Sequence, residues 1–292
     1  MDNLKEAILK KRPNLADSSV VTYLSSLSNI YKNVFPNMNL QIKKFDTDYD
    51  KILKYLSDLP AGSRKSRLSA LYILTENVHY KNKMMEDISE YKKDVSNQTK
   101  TESDKSNWVN DNTIDALLTK LKTKALFLFK QPVLSMKDIQ EIQNYILVLL
   151  YSGVIPLRRS KDFTAFKIKN IDKDKDNYME KSSFFFNCYK TAKYYGKQEI
   201  SLPPLFKKTI LKWITINPTQ YLLFDNQYQQ LNSVKITQRL NKLFQKKTAV
   251  NALRHSFLSN KYANTIETNK ELAIDLTNMG SSLSQATTYI KQ

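Results

Sequence analysis

The chain has 292 residues, of which 41% are hydrophobic and 25% charged, a balance typical of a globular protein with one large or two ordinary domains. Its 46 Lys and Arg outnumber 28 Asp and Glu, and the net charge of +18 favours a polyanionic partner, either nucleic acid or an anionic membrane surface. The longest apolar run, residues 145–151, is far shorter than the roughly 20 residues of a membrane-spanning helix, and we expect no signal peptide.

Residues suited to cofactors or metals are scarce. The four glycines are at least 43 residues apart, so no glycine-rich nucleotide-binding loop can be assembled. His79, His255 and Cys188 are the only soft metal ligands, too few for a zinc site, and a single cysteine cannot form an internal disulfide. The sequence therefore predicts no metal, no cofactor and a reducing, intracellular compartment.

Helical periodicity dominates the first third of the chain. Apolar residues recur at helical spacing over 20–34, and a second helix is predicted over 49–59. A third helix is predicted to begin near Ser63 and to carry one apolar stripe as far as Val78. This part of the chain is therefore expected to be a set of short amphipathic helices.

Arg64, Lys65 and Arg67 crowd the first turns of that third helix. Cations grouped in this way are typical of a surface that follows the DNA backbone, so all three are candidate DNA contacts. A solvated charged face is the alternative interpretation.

The apolar periodicity is lost over residues 94–107, where Ser, Thr, Asn and Lys predominate. Such a composition is typical of a linker. We therefore predict a helical DNA-binding domain over 1–95, a linker over 96–108 and a second domain over 109–292.

The second domain is predicted to combine helices with a short β segment. Strands are expected over 163–171, 184–191 and 198–202, the last two joined by a turn around Gly196. Helices are predicted to begin at or near Ser135, Pro204, Ser233, Ala249 and Thr268. The last of these starts has the pattern of a capping box.

Positive charge is concentrated over residues 205–262, which hold ten basic residues and one acidic residue, Asp225. This field favours nucleic acid as the partner, with Arg239 and Lys242 as candidate DNA contacts. Membrane binding is less favoured, because these cations lie on predicted helices whose apolar faces are committed to a core.

Four segments of the second domain resemble motifs of the tyrosine recombinase (phage integrase) family. Residues 152–163, with the Ile-Asp pair at 171–172, resemble the first arginine box. This alignment puts Arg159 at the family's arginine and Asp162 at its acidic position, and it makes Arg158 a neighbour.

Two further segments are similar to the boxes that follow. Residues 251–257 resemble the His-x-x-Arg-His box and contain Arg254 and His255, the latter expected mainly to pack and to position. Residues 279–289 resemble the segment that ends in the nucleophilic tyrosine, which would be Tyr289.

The fourth segment, residues 189–193, resembles the β-hairpin that carries the family's catalytic lysine. Lys190 is the first choice for that lysine. Lys193 is the second choice and a candidate DNA contact.

The resemblance implies a chemistry that suits these residue types. A phenol with a pKa near 10 needs help to attack a phosphodiester, and the transition state gathers charge on the non-bridging oxygens. Arg159 and Arg254 would hold those oxygens, and Lys190 would protonate the leaving 5′ oxygen. Tyr289 would be the nucleophile, with Tyr262, on the predicted helix of Arg254, as its rival.

Two positions depart from the family pattern. Asn251 stands where the family usually has histidine; it could hydrogen-bond a non-bridging oxygen but cannot shuttle a proton. The last box is one residue short after Gly280, where the usual His is deleted or replaced by Ser281. Without the two histidines that can transfer protons, we expect slower cleavage or an inactive relative.

The resemblance implies a mainly α fold with a small antiparallel β-sheet. The implied architecture is a two-domain, C-shaped DNA clamp, made of a helical core-binding domain and a tyrosine recombinase catalytic domain. Its implied activity is site-specific recombination or integration of duplex DNA through a 3′-phosphotyrosyl intermediate, with neither metal nor ATP.

A homo-oligomer, with a dimer on each site and a tetramer in synapsis, is also implied by the resemblance. The expected location is DNA-associated, in the cytoplasm of a prokaryote or in a nuclear or viral compartment. Two alternatives stay open: a catalytically weakened or inactive DNA-binding relative, and a type IB topoisomerase, which shares the nucleophile chemistry.

Overall fold

The structure is a computed structural model that describes residues 2–96, 100 and 102–278. The chain divides into two compact units, residues 1–100 and 101–292. Each unit contains its own cluster of buried apolar side chains. The two units are therefore described one after the other.

The described part of the first unit is entirely helical in its regular structure. Its helices are α1 (Asp2–Lys11), α2 (Asp17–Val34), α3 (Lys44–Thr47), α4 (Tyr49–Ser57), α5 (Ala61–Thr75) and α6 (Val78–Ser96). Leu27, Phe45 and Leu71 are fully buried between them. The hydroxyl of buried Tyr80, on α6, donates to the Phe45 carbonyl at 2.5 Å and so joins α6 to α3.

The predicted apolar stripe through Val78 is wrong. Helix α5 ends at Thr75, because Glu76 adopts the left-handed conformation with φ of 60°. The Asn77 side chain then accepts from the His79 backbone N–H at 2.9 Å, which helps to start α6. Val78 is 55% exposed in the first turn of that new helix.

The described part of 94–107 is largely helical although its sequence lacks apolar periodicity. Helix α6 continues through Ser96, and α7 spans Glu102–Asn107. The side chain of Asn107 accepts from the Lys247 backbone N–H at 3.0 Å, so tertiary contact accompanies this short helix. The division into domains at 96–108 stays a prediction.

The second unit combines helices with one small sheet. After α7 its helices are α8 (Asp111–Leu128), α9 (Met136–Leu150), α10 (Ser160–Thr164), α11 (Ala192–Tyr195), α12 (Pro204–Ile216), α13 (Ser233–Phe244) and α14 (Val250–Asn278). Strands β1 (Tyr178–Glu180), β2 (Ser183–Phe186) and β3 (Gln198–Ser201) form an antiparallel sheet in the order β1-β2-β3. The predicted class, mainly α with a small antiparallel β-sheet, is confirmed.

Helix α9 lies at the centre of the second core. It begins with the predicted Ser135 cap, where Ser135 and Asp138 form a reciprocal capping box. Its second half is buried, and the amide of buried Gln143 makes two 2.8 Å hydrogen bonds with the backbone of Phe224. These bonds satisfy the polar group inside an otherwise apolar core.

Aromatic residues join the sheet to this core. Alternation along β2 puts Phe184 and Phe186 on the core side, where both lie against Phe163 and Phe166 with ring centroids 4.8–6.2 Å apart. Phe185 points to the opposite face. There it stacks on Tyr178 of β1.

The strand predicted over 163–171 is wrong. Phe163 belongs to α10, and the residues after it form no regular strand beyond the isolated bridges of Lys167 with Tyr178 and Tyr221. Their apolar side chains fill the core from an irregular segment, which hydrophobic patterning alone cannot distinguish from a buried strand. Strand β1 was not predicted from the sequence, because a strand of three residues is too short to show a pattern.

The helix start predicted at Thr268 is also wrong, because α14 runs without a break from Val250 to Asn278. The Thr268 hydroxyl donates to the Asn264 carbonyl at 2.9 Å, one turn earlier, instead of capping a new helix. The first turns of α14 are anchored by buried Val250 and Leu253, whereas residues 261–271 are exposed.

Gly153 joins the end of α9 to α14. Its φ is +89°, a conformation that side chains rarely adopt, and an added Cβ would lie 3.0 Å from two ring carbons of Phe257. Only a residue without a side chain allows this close approach.

Gly153→Ala should lower the free energy of unfolding by about 2 kcal/mol, because it combines a left-handed backbone with overlap against Phe257. Gly62→Ala is the matched control, since a Cβ at Gly62 meets nothing within 4 Å. Thermal unfolding of both variants checks this expectation. Equal midpoints for the two variants would contradict it.

Candidate active site

The two arginines of the predicted first box, Arg158 and Arg159, are neighbours in the chain. They lie in the loop between α9 and α10, and Arg159 takes the N-cap position of α10 with an extended backbone. The Arg158 side chain is only 14% exposed, and its Nε donates to the Asp162 carboxylate at 2.9 Å. Asp162 itself is 2% exposed, so the pair is largely buried.

Asp162 supplies negative charge beneath the arginines. Burial raises the pKa of this carboxyl, while the neighbouring charges of Arg158 and Arg159 act in the opposite direction. The carboxylate is thus held in the core by the cations around it.

Arg254 approaches this loop from the first turns of α14. Its Nε donates to the Leu157 carbonyl at 3.1 Å, which fixes the guanidinium beside the loop of the first box. Burial lowers the pKa of Arg254, and the charge of Arg159 lowers it further. The structure therefore brings Arg254 to the loop of Arg159, 95 positions earlier in the sequence, through its hydrogen bond to Leu157, two residues before Arg159.

Two neighbouring guanidiniums repel each other, and an anion placed between them removes this repulsion. Guanidinium groups stay charged and donate paired hydrogen bonds, which suits them to the oxygens of a phosphate. The arrangement of Arg159 and Arg254 is therefore that of a candidate phosphodiester site.

The remaining residues of the second box lie on the same helix. Asn251 and His255 are both exposed on α14, three residues before and one residue after Arg254. Residues three or four apart share a helix face, so Asn251 lies on the side of α14 that carries Arg254 and His255.

Lys190 is exposed in the loop between β2 and β3, just before α11. Its neighbour Tyr189 donates a hydrogen bond from its hydroxyl to the Gly196 carbonyl at 2.7 Å, which closes the loop on itself. Lys193 is also exposed, and its ammonium lies 5.3 Å from the Tyr194 ring centre. The role of Lys190 or Lys193 as proton donor stays a prediction.

Tyr289, like Gly280 and Ser281, lies outside the described residues, so its role as nucleophile stays a prediction. Its rival Tyr262 lies on α14 and is 41% exposed. Eight residues of helix separate it from Arg254, a rise of about 12 Å along the axis.

The candidate DNA contacts of the first unit are placed differently from one another. Arg64 donates to both carboxylate oxygens of Asp87 at 2.7 Å and to the carbonyls of Ser57 and Leu59. Arg67 donates to the Ser63 carbonyl, and its Nε is buried. Lys65 is exposed. Asp87, 23 positions beyond Arg64, gave no sign of this pairing in the sequence.

Part of the basic field over 205–262 is also used within the fold. Arg239 donates to the Gln140 side chain at 2.7 Å, and burial lowers its pKa. Lys235 pairs with Asp225 at 2.6 Å, and Lys246 donates to the Trp108 carbonyl at 2.9 Å. Lys242, in contrast, is exposed. The roles of Arg239 and Lys242 as DNA contacts stay predictions.

Neither a metal cluster nor a membrane span appears in the described ranges. Within 2–96, 100 and 102–278, no three His, Cys, Asp or Glu side chains are grouped to hold a metal ion. The helices of the same residues include none that is long and apolar enough to cross a membrane.

The fold is that of the tyrosine recombinases. A solved lambda integrase dimer bound to a COC′ core site matches with a TM-score of 0.52 and 14% identity, over 91% of this chain and 89% of that one. Lambda integrase bound to DNA matches with a TM-score of 0.48 and 12% identity, over 91% and 87%. XerA recombinase matches with 0.37 and 11%, over 90% and 84%.

No family model matches the chain. No curated protein matches it by sequence either. The first structural likeness therefore carries the assignment of the fold, and it carries that alone.

Arg64→Ala should destabilise the first unit by about 3 kcal/mol, because it leaves the buried Asp87 carboxylate without its main partner. Arg64 holds the pKa of Asp87 below its ordinary value. The stability from this pair is therefore complete above about pH 4 and lost as the pH falls through the lower folded pKa. Thermal unfolding against pH measures both effects.

Lys65→Ala is the matched control on the same helix. It should leave the unfolding midpoint unchanged, because Lys65 is exposed. A stable Arg64→Ala variant with weakened DNA binding would show instead that Arg64 contacts phosphate and does not serve the fold.

Proposed function

We propose that this chain is a site-specific DNA recombinase that cuts and rejoins duplex DNA through a covalent tyrosine intermediate. The observation that carries the proposal is the hydrogen bond of the Arg254 Nε to the Leu157 carbonyl at 3.1 Å, which brings Arg254 to the loop that carries Arg159. The tyrosine recombinase fold supports the same assignment.

In the proposed reaction the Tyr289 phenol gives up its proton to solvent and attacks a backbone phosphorus. The bond to the 5′ oxygen breaks, a 3′-phosphotyrosyl bond forms, and Lys190 gives a proton to the leaving oxygen. Arg159 and Arg254 hold the non-bridging oxygens, where charge accumulates in the transition state. Attack by a 5′ hydroxyl reverses these steps and rejoins a strand.

Duplex DNA is the proposed partner. The net charge of +18 favours a polyanion, and the lambda integrase that shares this fold was solved on DNA. Exposed Lys65, Lys193 and Lys242 are better placed to meet phosphates than the committed guanidiniums of Arg64 and Arg239. We also propose a homo-oligomer, with a dimer on each site and a tetramer in synapsis.

Asn251 supports a second candidate, a DNA-binding relative that has lost cleavage. Its amide can donate a hydrogen bond to a phosphate oxygen from the Arg254 side of α14, but it cannot carry a proton. A type IB topoisomerase is distinguished by relaxation of supercoils by a monomer without site preference.

A nicked DNA substrate, which loses the short strand after cleavage, should trap the covalent adduct. Mass spectrometry of the attached peptide should identify Tyr289, and Tyr289→Phe should abolish the adduct while DNA affinity stays nearly unchanged. Tyr262→Phe is the matched control and should retain the adduct. An adduct on Tyr262 would move the nucleophile, and no adduct from wild type would favour the binding protein.

Arg254→Ala and Arg159→Ala should each lower the cleavage rate by at least ~100-fold, because each removes a donor to the transition-state oxygens. Lys261→Ala removes a cation from the exposed part of α14 and should retain activity. Single-turnover cleavage at saturating enzyme measures the chemical step. Full activity of either arginine variant would exclude the proposed role of Arg159 and Arg254 in holding the phosphate.

A further inference from the structure

Arg158 makes contacts that the proposed reaction does not use. Its guanidinium carbon lies 4.3 Å from the centre of the Phe186 ring and 4.6 Å from that of Tyr189. Its Nε donates to Asp162, and its Nη1 donates to the Gln198 side chain. Arg158 therefore connects the loop of the first box to the sheet.

The three sheet-side partners surround the segment that carries Lys190. Phe186 ends β2, Tyr189 directly precedes Lys190, and Gln198 begins β3. Arg158 thus contacts both ends of the loop between β2 and β3. Arg158 also directly precedes Arg159 in the chain. One residue is therefore linked to the segments that carry both Lys190 and Arg159.

We propose that Arg158 is a positioning residue that fixes the Lys190 loop relative to the Arg159 loop. This inference rests on the proposed function and adds a residue to it. Arg158 is too buried to hold the phosphate itself, with 14% of its side chain exposed. Its effect on the reaction passes through Lys190.

The chemistry of the side chain suits this task. A guanidinium is planar, so its faces can lie against aromatic rings while its edge donates hydrogen bonds in fixed directions. Arg158 donates hydrogen bonds to Asp162 and Gln198 while its guanidinium carbon lies over the rings of Phe186 and Tyr189. A lysine could keep the ion pair with Asp162 but could not make the whole set of contacts.

Asn177 makes a second connection at the start of the loop, while the Tyr189 hydroxyl holds the Gly196 carbonyl near its far end. The Asn177 amide donates to the carbonyls of Asp162 and Cys188, and its oxygen accepts from the Cys188 N–H at 2.8 Å. Loss of the Arg158 contacts should therefore loosen the loop and leave the sheet intact. Lys190 would then be misplaced, while Arg159 and Arg254 would keep their positions.

A leaving group that needs no proton separates these effects. DNA in which sulfur replaces the bridging 5′ oxygen releases a thiolate, which departs without general acid help because thiols are far more acidic than alcohols. Cleavage of the oxygen and sulfur substrates is compared in single turnovers for wild type, Arg158→Lys, Lys190→Ala and Arg254→Ala.

Arg158→Lys and Lys190→Ala should both be slowed by ~10- to 100-fold on the oxygen substrate, the range expected when a general acid is misplaced or lost. Both should recover on the sulfur substrate to nearly the wild-type rate. Arg254→Ala should stay slow on both substrates, because the charge on the non-bridging oxygens still needs its donor.

Lys44→Met is the matched control. The Lys44 ammonium lies 5.1 Å from the centre of the Phe35 ring, in the first unit and outside the loop between β2 and β3. Losing it removes a cation from an aromatic ring elsewhere in the chain and should leave the ratio of the two rates at the wild-type value. Thermal unfolding of every variant shows whether it is folded.

If Arg158→Lys is unfolded, Gln198→Met replaces it. This variant removes the acceptor of the Arg158 Nη1 and leaves the pair of Arg158 with Asp162 untouched, and the same recovery on sulfur is expected. The inference is overturned if the folded variant is slowed equally on both substrates, if it is not slowed at all, or if Lys190→Ala shows no recovery on sulfur. If wild type cleaves neither substrate, the proposed function itself fails.

Discussion

The candidate site depends on holding two guanidiniums of like charge close together. Such a pair is unfavourable by itself, and the fold opposes the repulsion with the buried carboxylate of Asp162 and with the backbone carbonyl of Leu157. The Leu157 carbonyl fixes the direction of the Arg254 guanidinium before any ligand arrives. An anion that enters the site then meets donors that need little rearrangement, which is the condition for electrostatic catalysis.

Because arginines can be held by groups inside the protein, the number of cations in a segment is a poor guide to a binding surface. Arg64, Arg158 and Arg239 each donate a hydrogen bond to a group inside the protein, and each is more than half covered. Arginine is well suited to such buried pairing, because its fork can satisfy several acceptors at once. The exposed lysines are left to generate the long-range attraction for a polyanion.

Much of the fold could be predicted from local patterns, and its exceptions have physical causes. The Ser135 cap, the β2–β3 pairing and the helix at Pro204 follow from capping, alternation and proline chemistry. The strand predicted after Phe163 was wrong because this segment is apolar through burial in the core and not through strand geometry. Of the site, sequence motifs indicated Arg159 and Arg254, but the turning of Arg158 toward Phe186 and Tyr189 depends on contacts between distant segments.

Helix α14 has a consequence for how Arg254 behaves over time. The arginine lies within its anchored first turns, near buried Leu253 and the contact of Phe257 with Gly153, whereas the stretch 261–271 faces solvent. A helical stretch exposed to solvent is only marginally stable in water, so residues 261–271 should open and close many times while the first turns of α14 stay folded. Amide hydrogens along one continuous helix would therefore exchange with solvent at two very different rates, with the amide of Arg254 among the slow ones.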